Sequence, residues 1–172
     1  MTIDIRMVDE GEMPELWKLW VRGLREHPEA FGAEHEWAKD VSPERSQELL
    51  RQIREGDGFI LGVWDGEVPV GMVNFSRQQG EKFRHKGDIG AVYVVPEQRG
   101  QGVGKALLLA ALEQTRAMTD LIIISLSVNN ENTVAVKLYE ICGFKAYGVE
   151  PKGLRVNGQY FDLLHMTYEV GG

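Results

Sequence analysis

The sequence predicts an α/β fold: a mixed sheet of about seven mostly antiparallel strands with a central parallel pair, flanked by four helices. Short apolar runs and segments of helical periodicity follow one another along the chain. A strand, a helix and a second buried strand occupy residues 88–128, which predicts a right-handed parallel crossover at the centre. Turn signals at Asp65-Gly66 and Asn157-Gly158 predict antiparallel hairpins on either side.

The first third of the chain contains one predicted strand and two predicted helices. Residues 2–8 alternate apolar and polar side chains, as a half-buried strand does. Apolar residues then recur at helical spacing from Met13 to Leu24, which predicts an amphipathic helix that ends before Pro28. Ser42 followed by Pro43 is a typical helix start, and that helix should end near Gly56.

Five more segments complete the first half of the sheet and its crossover. Residues 59–64 and 68–76 are two antiparallel strands, and the charged residues 78–87 form an exposed connection. Residues 88–95 form the central strand, whose apolar run predicts burial on both faces. The next helix carries apolar residues from Val103 to Leu112, and residues 121–128 are again a buried strand.

The C-terminal part contains one helix and a hairpin. Residues 129–132 cap a helix that runs to Cys142 and ends at Gly143. Residues 144–149 are the next strand, and residues 160–168 are the closing strand.

Composition limits the classes of protein to consider. A chain of 172 residues without a linker or repeat is expected to form a single domain over residues 1–172. No apolar run approaches a membrane span, and the N-terminus alternates as a strand rather than resembling a signal peptide, so a cytoplasmic protein without a membrane partner is expected. The single Cys142 and the four histidines show no ligand spacing, so no metal site is expected. The net charge of −7 argues against a nucleic-acid partner and is compatible with cationic amine substrates.

A glycine-rich turn joins the central strand to its helix. Gly100, Gly102 and Gly104 follow the strand that ends at Pro96. Glycines at such a junction allow a close backbone approach, and the helix N-terminus favours an anion, so the loop should hold a phosphate group. A nucleoside triphosphate loop would need a hydroxyl where Ala106 stands, and a dinucleotide loop would need glycine in place of Lys105.

Two ordered motifs carry a resemblance to a known family. The first is Arg99-x-x-Gly102-x-Gly104 after a Val-x-Pro strand end. The second is Val128-Asn129-x-x-Asn132-x-x-Ala135-x-x-Leu138-Tyr139-x-x-x-Gly143-Phe144. Together they resemble the GNAT superfamily of acetyl-CoA-dependent N-acetyltransferases, over about residues 2–169.

The resemblance implies an acetyl-CoA site and roles within it. The pyrophosphate should lie on N–H groups of the loop and the pantetheine arm along the strand edge, where the N–H of Val94 would polarise the thioester carbonyl. Asn132 would hydrogen-bond coenzyme A, and the Tyr139 hydroxyl would protonate the leaving thiolate. The residues assigned to the cofactor are Val92, Tyr93, Val94, Arg99, Gly100, Gln101, Gly102, Val103, Gly104, Lys105, Asn132 and Tyr139.

The acceptor side is less explicit. In ribosomal-protein N-terminal acetyltransferases a Glu often stands where this chain has Ser127, so the candidates for the base are Glu34, Glu36, Asp88 and Tyr93. The loop at 28–37 is either a solvated connection or an amine-binding rim. As a rim, Glu34 and Glu36 would pair with a cationic substrate beside an aromatic wall. That wall would consist of Trp17, Trp20, Phe31 or Trp37. Asp162 and Tyr160 share a face of the closing strand, and this placement fits a solvated cross-strand role as well as a role in the acceptor site.

The sequence therefore predicts an N-acetyltransferase that moves an acetyl group directly to an amine in a ternary complex. The acceptor is a primary amine of a small molecule or a protein, and a homodimer is compatible with this reading. A covalent route through Cys142 is disfavoured, because no base is evident beside it. The alternative is a non-catalytic acyl-CoA-binding regulatory module.

Overall fold

The computed structural model describes residues 2–172, and within them it contains one seven-stranded sheet. The strands in chain order are β1 (Ile3–Met7), β2 (Phe59–Asp65), β3 (Val68–Arg77), β4 (Lys86–Val94), β5 (Ile123–Asn129), β6 (Lys145–Val156) and β7 (Gln159–Glu169). Their spatial order is β1-β2-β3-β4-β5-β7-β6. Only the β4–β5 pair is parallel, which confirms the predicted fold class.

Five α-helices occur in the described residues, one more than the sequence predicted. They are α1 (Met13–Glu26), α2 (His35–Ala38), α3 (Pro43–Glu55), α4 (Val103–Arg116) and α5 (Thr133–Ile141). Short 3-10 helices lie at Pro28–Ala30 and Pro96–Gln98. The additional α2 is a single turn, too short to show helical periodicity, and the indole Nε1 of Trp17 donates to its Ala38 carbonyl at 2.9 Å.

Local sequence explains where the longer helices begin. Ser42 Oγ accepts from the N–H of Arg45 at 3.1 Å, so α3 starts at the predicted serine cap.

Helices and sheet enclose a core whose fully buried side chains include Leu16, Leu50 and Phe75. Each such side chain contributes about 1.5–3 kcal/mol through removal from water.

The two central strands separate after a short parallel contact. β4 pairs with β5 only from Lys86 to Asp88, opposite Ile123 to Ser125. On the other side of β4, Met72 pairs with Tyr93 while Asn74 pairs with Gly90, so two residues of β4 oppose one of β3. This β-bulge contains Ala91 at a φ of 51°, and it bends β4 away from β5.

The bulge also corrects the predicted burial of the central strand. The sequence predicted burial on both faces, but Ala91, Val92 and Val94 are only half buried, because they face the gap between β4 and β5. Several strand limits differ as well: β4 begins at Lys86, β5 begins at Ile123, and β6 continues to Val156 as an exposed edge strand. Among the helices of residues 2–172, none is long and apolar enough to cross a membrane.

Candidate functional site

A cavity of 790 Å³ lies where β4 leaves β5, beside the N-terminus of α4 and one face of α5. Except for Gln101, every residue that the sequence assigned to the cofactor lines this first cavity. Gln101 turns back instead, and its Nε2 donates to the carbonyl of Glu97 at 3.4 Å. The other lining residues, to which the sequence assigned no cofactor role, are His27, Glu29, Ala30, Phe31, Asn129, Glu131, Val134, Ala135, Leu138 and Phe161.

The N-terminus of α4 contributes backbone N–H groups without a side-chain cap to this cavity. Gly100 and Gly102 have φ values of 74° and 79°, in the left-handed region that favours glycine. Gly102 is the N-cap residue, and no side chain caps the helix. The first-turn N–H groups of Val103, Gly104 and Lys105 therefore have no acceptor within the helix and can donate to a ligand. They lie at the positive end of a helix of 14 residues.

Arg99 fixes the loop to the strand and to α1. Its Nε donates to the carbonyl of Val94 at 2.9 Å, and its guanidinium lies 5.8 Å from the ring centre of Tyr93. A guanidinium nitrogen of Arg99 also lies 3.2 Å from Nε2 of His27. The loop thus has a fixed position relative to the strand edge.

The pairing of this strand with β3 orients the N–H of Val94. The N–H of Val95 donates to the carbonyl of Val70 at 2.9 Å, on the β3 side of the strand. Because hydrogen-bonded and non-hydrogen-bonded pairs alternate in an antiparallel ladder, the N–H of Val94, which is opposite Gly71, points away from β3 and into the gap. This edge can therefore donate to a ligand that enters between β4 and β5.

Asn132 and Tyr139 share one face of α5 and both line the first cavity. Asn132 Oδ1 accepts from the N–H of Ala135 at 3.1 Å, so this side chain caps the helix and leaves its amide nitrogen for the cavity. Tyr139 is buried, and this burial raises the pKa of its hydroxyl above the usual range. A hydroxyl that stays protonated in a cavity is a suitable proton donor.

Asn129 supports the cavity without having been given a role from the sequence. Its buried Nδ2 donates to the carbonyl of Glu29 at 3.1 Å, and its Oδ1 accepts from the N–H of Glu131 at 3.0 Å. It thereby ties the 3-10 helix after α1 to the turn before α5. The signal that could have found it was its place in the second motif, next to a buried strand end.

A second cavity of 390 Å³ lies on the other side of the bulge and shares Ala30 and Phe31 with the first. Its lining residues are Met13, Trp17, Trp20, Ala30, Phe31, Gly32, Ala33, Trp37, Leu49, Ile53, Ile60, Met72, Asn74, Gly90, Ala91 and Ser127. None of these side chains carries a charge. The four aromatic residues proposed from the sequence as an acceptor wall are all among them.

The three carboxylates proposed for the acceptor lie outside both cavities. Glu36 forms an ion pair with Lys39, which lowers the pKa of its carboxyl, and its side chain is 76% exposed. Glu34 precedes α2 and makes no side-chain cap. Asp88 accepts from Nε2 of Gln78 at 3.0 Å on the paired part of β4. The structure therefore does not bring these carboxylates together with the cofactor residues.

Two further candidates have defined surroundings. The Tyr93 hydroxyl donates to Glu26 Oε2 at 3.4 Å, and burial raises the pKa of Tyr93. Cys142 is buried at the end of α5, outside both cavities, and burial raises the pKa of its thiol. Within residues 2–172, no group of three or more His, Cys, Asp or Glu side chains could hold a metal ion.

Comparison with known sequences gives one family and several relatives. The model of the acetyltransferase (GNAT) family matches residues 13–144. A mycothiol acetyltransferase from Thermobispora bispora is 34% identical over 152 residues, which cover 86% of this chain and 48% of that protein. The peptidyl-lysine N-acetyltransferase YjaB from Salmonella typhimurium is 29% identical over 169 residues, covering 98% of this chain and 99% of that protein. The chain thus spans about half the length of the mycothiol acetyltransferases that it matches.

Solved structures have the same fold. An acetyltransferase of the GNAT family from Streptococcus pneumoniae superposes with a TM-score of 0.91 at 23% identity, covering 98% of this chain and all of that one. The protein yncA from Salmonella typhimurium, solved with acetyl-CoA, superposes with a TM-score of 0.87 at 18% identity, covering 100% of this chain and 96% of that one.

Proposed function

The chain belongs to the acetyltransferase (GNAT) family, and from this premise we propose that it transfers an acetyl group from acetyl-CoA directly to a primary amine in a ternary complex. One observation supports this proposal above the others. Two cavities meet at the bulge of β4, the first with uncapped N–H donors and the second with an uncharged aromatic lining. A donor and an acceptor bound in them would meet at the strand edge, so no carrier residue is needed.

The first cavity would bind acetyl-CoA. Its pyrophosphate would accept from the N–H groups of Gly102 to Lys105, and Asn132 would donate to the coenzyme. The N–H of Val94 would polarise the thioester carbonyl, a type of contact whose loss in other enzymes costs about 2.7–4 kcal/mol. Tyr139 would give its proton to the departing thiolate.

The second cavity would bind the amine, and its lining indicates the chemical class. A polyamine or an aminoglycoside carries several positive charges, and each would have to leave water without a carboxylate partner. An amine with one nitrogen and an apolar or aromatic body would instead bury that body against Trp17, Trp20 and Phe31. Burial also favours the neutral amine, which is the form that attacks a thioester.

The relatives named above act on different acceptors by name, so the acceptor class has to be measured. We propose a thiol-release screen with acetyl-CoA and three amines: 2-phenylethylamine, spermidine and a lysine-containing peptide. We expect release of coenzyme A and a product heavier by one acetyl group with 2-phenylethylamine. Preference for the peptide would assign a protein amine, and binding of acetyl-CoA with no turnover of any amine would indicate the non-catalytic module.

A further inference from the structure

Three polar side chains form a hydrogen-bonded row across β5, β7 and β6. Ser127 Oγ lies 2.7 Å from His165 Nδ1, and His165 Nε2 lies 2.8 Å from Glu150 Oε2. Ser127 and His165 are directly opposite each other in the β5–β7 register. Adjacent strands of one sheet thus hold all three side chains in place.

The row fixes the direction of its hydrogen bonds. An ionised carboxylate only accepts, so Glu150 requires that Nε2 of His165 carries a hydrogen atom. In the neutral imidazole, Nδ1 then keeps its lone pair and accepts from the hydroxyl of Ser127. Ser127 is left with a free lone pair on an oxygen whose own proton is already directed towards a base.

One end of the row opens into the second cavity. The last parallel pair of β4 and β5 is Asp88 with Ser125, so Gly90 and Ser127 are the next residues at which the strands have separated. Both line the second cavity, and a Cβ at Gly90 would have no heavy atom within 4 Å. The other end faces solvent, since the Glu150 side chain is 52% exposed. The row therefore connects the proposed amine pocket with bulk water.

We propose that Ser127 takes a proton from the acceptor ammonium and passes its own hydroxyl proton to His165, which Glu150 holds in the accepting tautomer. This inference rests on the proposed function, because it concerns the same reaction. Ser127 would touch the substrate, whereas His165 and Glu150 would act through it as positioning residues. The hydrogen-bonded row would also provide a base for the amine, which Glu34, Glu36 and Asp88 cannot do from outside the cavities.

The reaction balances in protons and electrons. The ammonium gives one proton to Ser127 Oγ as the hydroxyl proton moves to His165 Nδ1, and the neutral nitrogen then forms a C–N bond to the thioester carbon. The C–S bond breaks with its electron pair on sulfur, which takes the proton of Tyr139. The second nitrogen proton restores the Tyr139 hydroxyl, and His165 releases one proton to water. In sum, one ammonium and one thioester give one amide, one thiol and one proton.

The charged and titratable neighbours of His165 are few. From β6 they are Glu150 and Tyr147, whose ring centre lies 6.0 Å from that of His165, and Lys145 pairs with Thr167 further along. From β5, the cross-strand neighbour is Ser127. The 3-10 helix at Pro28–Ala30 packs on β5 and β6. Its charged residue, Glu29, lines the first cavity.

The test compares pH profiles of kcat/KM for 2-phenylethylamine at saturating acetyl-CoA. An alkyl amine is neutral in only about one molecule in 10³ at pH 7, and a general base contributes about 10²–10⁴-fold. We expect Ser127→Ala and His165→Gln to lose about 10²-fold at pH 7 and to recover about tenfold per pH unit as the amine loses its proton in solution. Glu150→Gln should show the same trend with a smaller loss.

Matched measurements separate this inference from folding and from the proposed function. Stabilisation by acetyl-CoA should be unchanged in all three variants, and His85→Gln, an exposed histidine outside both cavities, should keep the wild-type profile. A wild-type profile in His165→Gln would overturn the relay and leave the proposed acetyl transfer intact. No turnover by the wild-type protein with any amine would overturn both.

Discussion

Gly104 faces Leu138 so closely that an added Cβ would lie 3.4 Å from Cδ2 of Leu138 and 3.9 Å from Cγ2 of Val94. The first turn of α4 therefore approaches α5 and the strand edge across the space that the cofactor would use. A larger side chain at this position would extend into the first cavity.

This contact predicts that Gly104→Val loses stabilisation by acetyl-CoA. A ligand that binds only the folded state at a hundredfold excess over its dissociation constant raises the free energy of unfolding by about 2.7 kcal/mol. The wild-type protein should show this increase in thermal or denaturant unfolding, and Gly104→Val should not. Gly11→Val is the matched control, because a Cβ there meets no atom within 4 Å and Gly11 is outside both cavities. An equal increase in Gly104→Val would contradict the assignment of the loop.

Tyr139→Phe should lower kcat while leaving the KM for acetyl-CoA nearly unchanged. The hydroxyl would act on the thiolate, which exists only as the C–S bond breaks, so its removal affects the chemical step more than binding. A loss of about 10²-fold in kcat fits removal of a general acid. Steady-state kinetics with a wild-type kcat would identify Tyr139 as a packing residue beside Phe144, whose ring centre is 6.0 Å away.

The same residue should make stability depend on alkaline pH. Burial raises the pKa of Tyr139, so its contribution to stability is complete below the unfolded value and is lost as pH rises towards the folded value. An unfolded tyrosine has a pKa of about 10, so each pH unit above about 10 should remove about 1.4 kcal/mol from the free energy of unfolding.

Denaturant unfolding between about pH 8 and pH 11 measures this effect. Tyr139→Phe should lose less stability over that range than the wild-type protein. Tyr160→Phe, at a residue 56% exposed, should lose as much as the wild type. Identical slopes for Tyr139→Phe and the wild type would contradict the buried hydroxyl.

Trp37→Ala should raise the KM for 2-phenylethylamine without altering the affinity for acetyl-CoA. Trp37 lines the second cavity and packs edge-on against Trp17 with ring centres 5.7 Å apart. An aromatic contact worth about 0.5–1.5 kcal/mol corresponds to a rise of about two- to twelvefold. Glu36→Gln changes the adjacent residue, outside the cavity, and should leave KM unchanged. The reverse pattern would favour the amine-binding rim of Glu34 and Glu36, which the sequence left open as an alternative to a solvated loop.

Much of the fold was predictable because its signals are local. Ser42-Pro43 marks a helix start and the apolar run before Gly100 marks a strand, and both signals hold whatever packs around them, although the predicted burial of that strand did not. The one-turn α2 and the extension of β6 beyond residue 149 were missed because neither has a strong periodicity. The bulge at Ala91 was missed because a left-handed alanine depends on tertiary packing rather than on a turn residue.

The two cavities also differ in how far they could be predicted from the sequence. The residues assigned to the cofactor are close in sequence within two motifs, so their grouping in one cavity could be anticipated. The second cavity draws on α1, α2, α3 and the strands β2 to β5, and no sequence spacing links Asn74 to Trp37 or Ser127. Similarly, Ser127, His165 and Glu150 meet only through the strand register.

Initial velocities distinguish direct transfer between ligands held in adjoining cavities from transfer through a covalent intermediate. Acetyl-CoA and 2-phenylethylamine are varied together, and the protein's intact mass is measured after incubation with acetyl-CoA alone. Direct transfer predicts intersecting lines in the double-reciprocal plot and an unmodified protein, because both ligands must be bound before the acetyl group moves. Parallel lines together with a protein heavier by one acetyl group would contradict it.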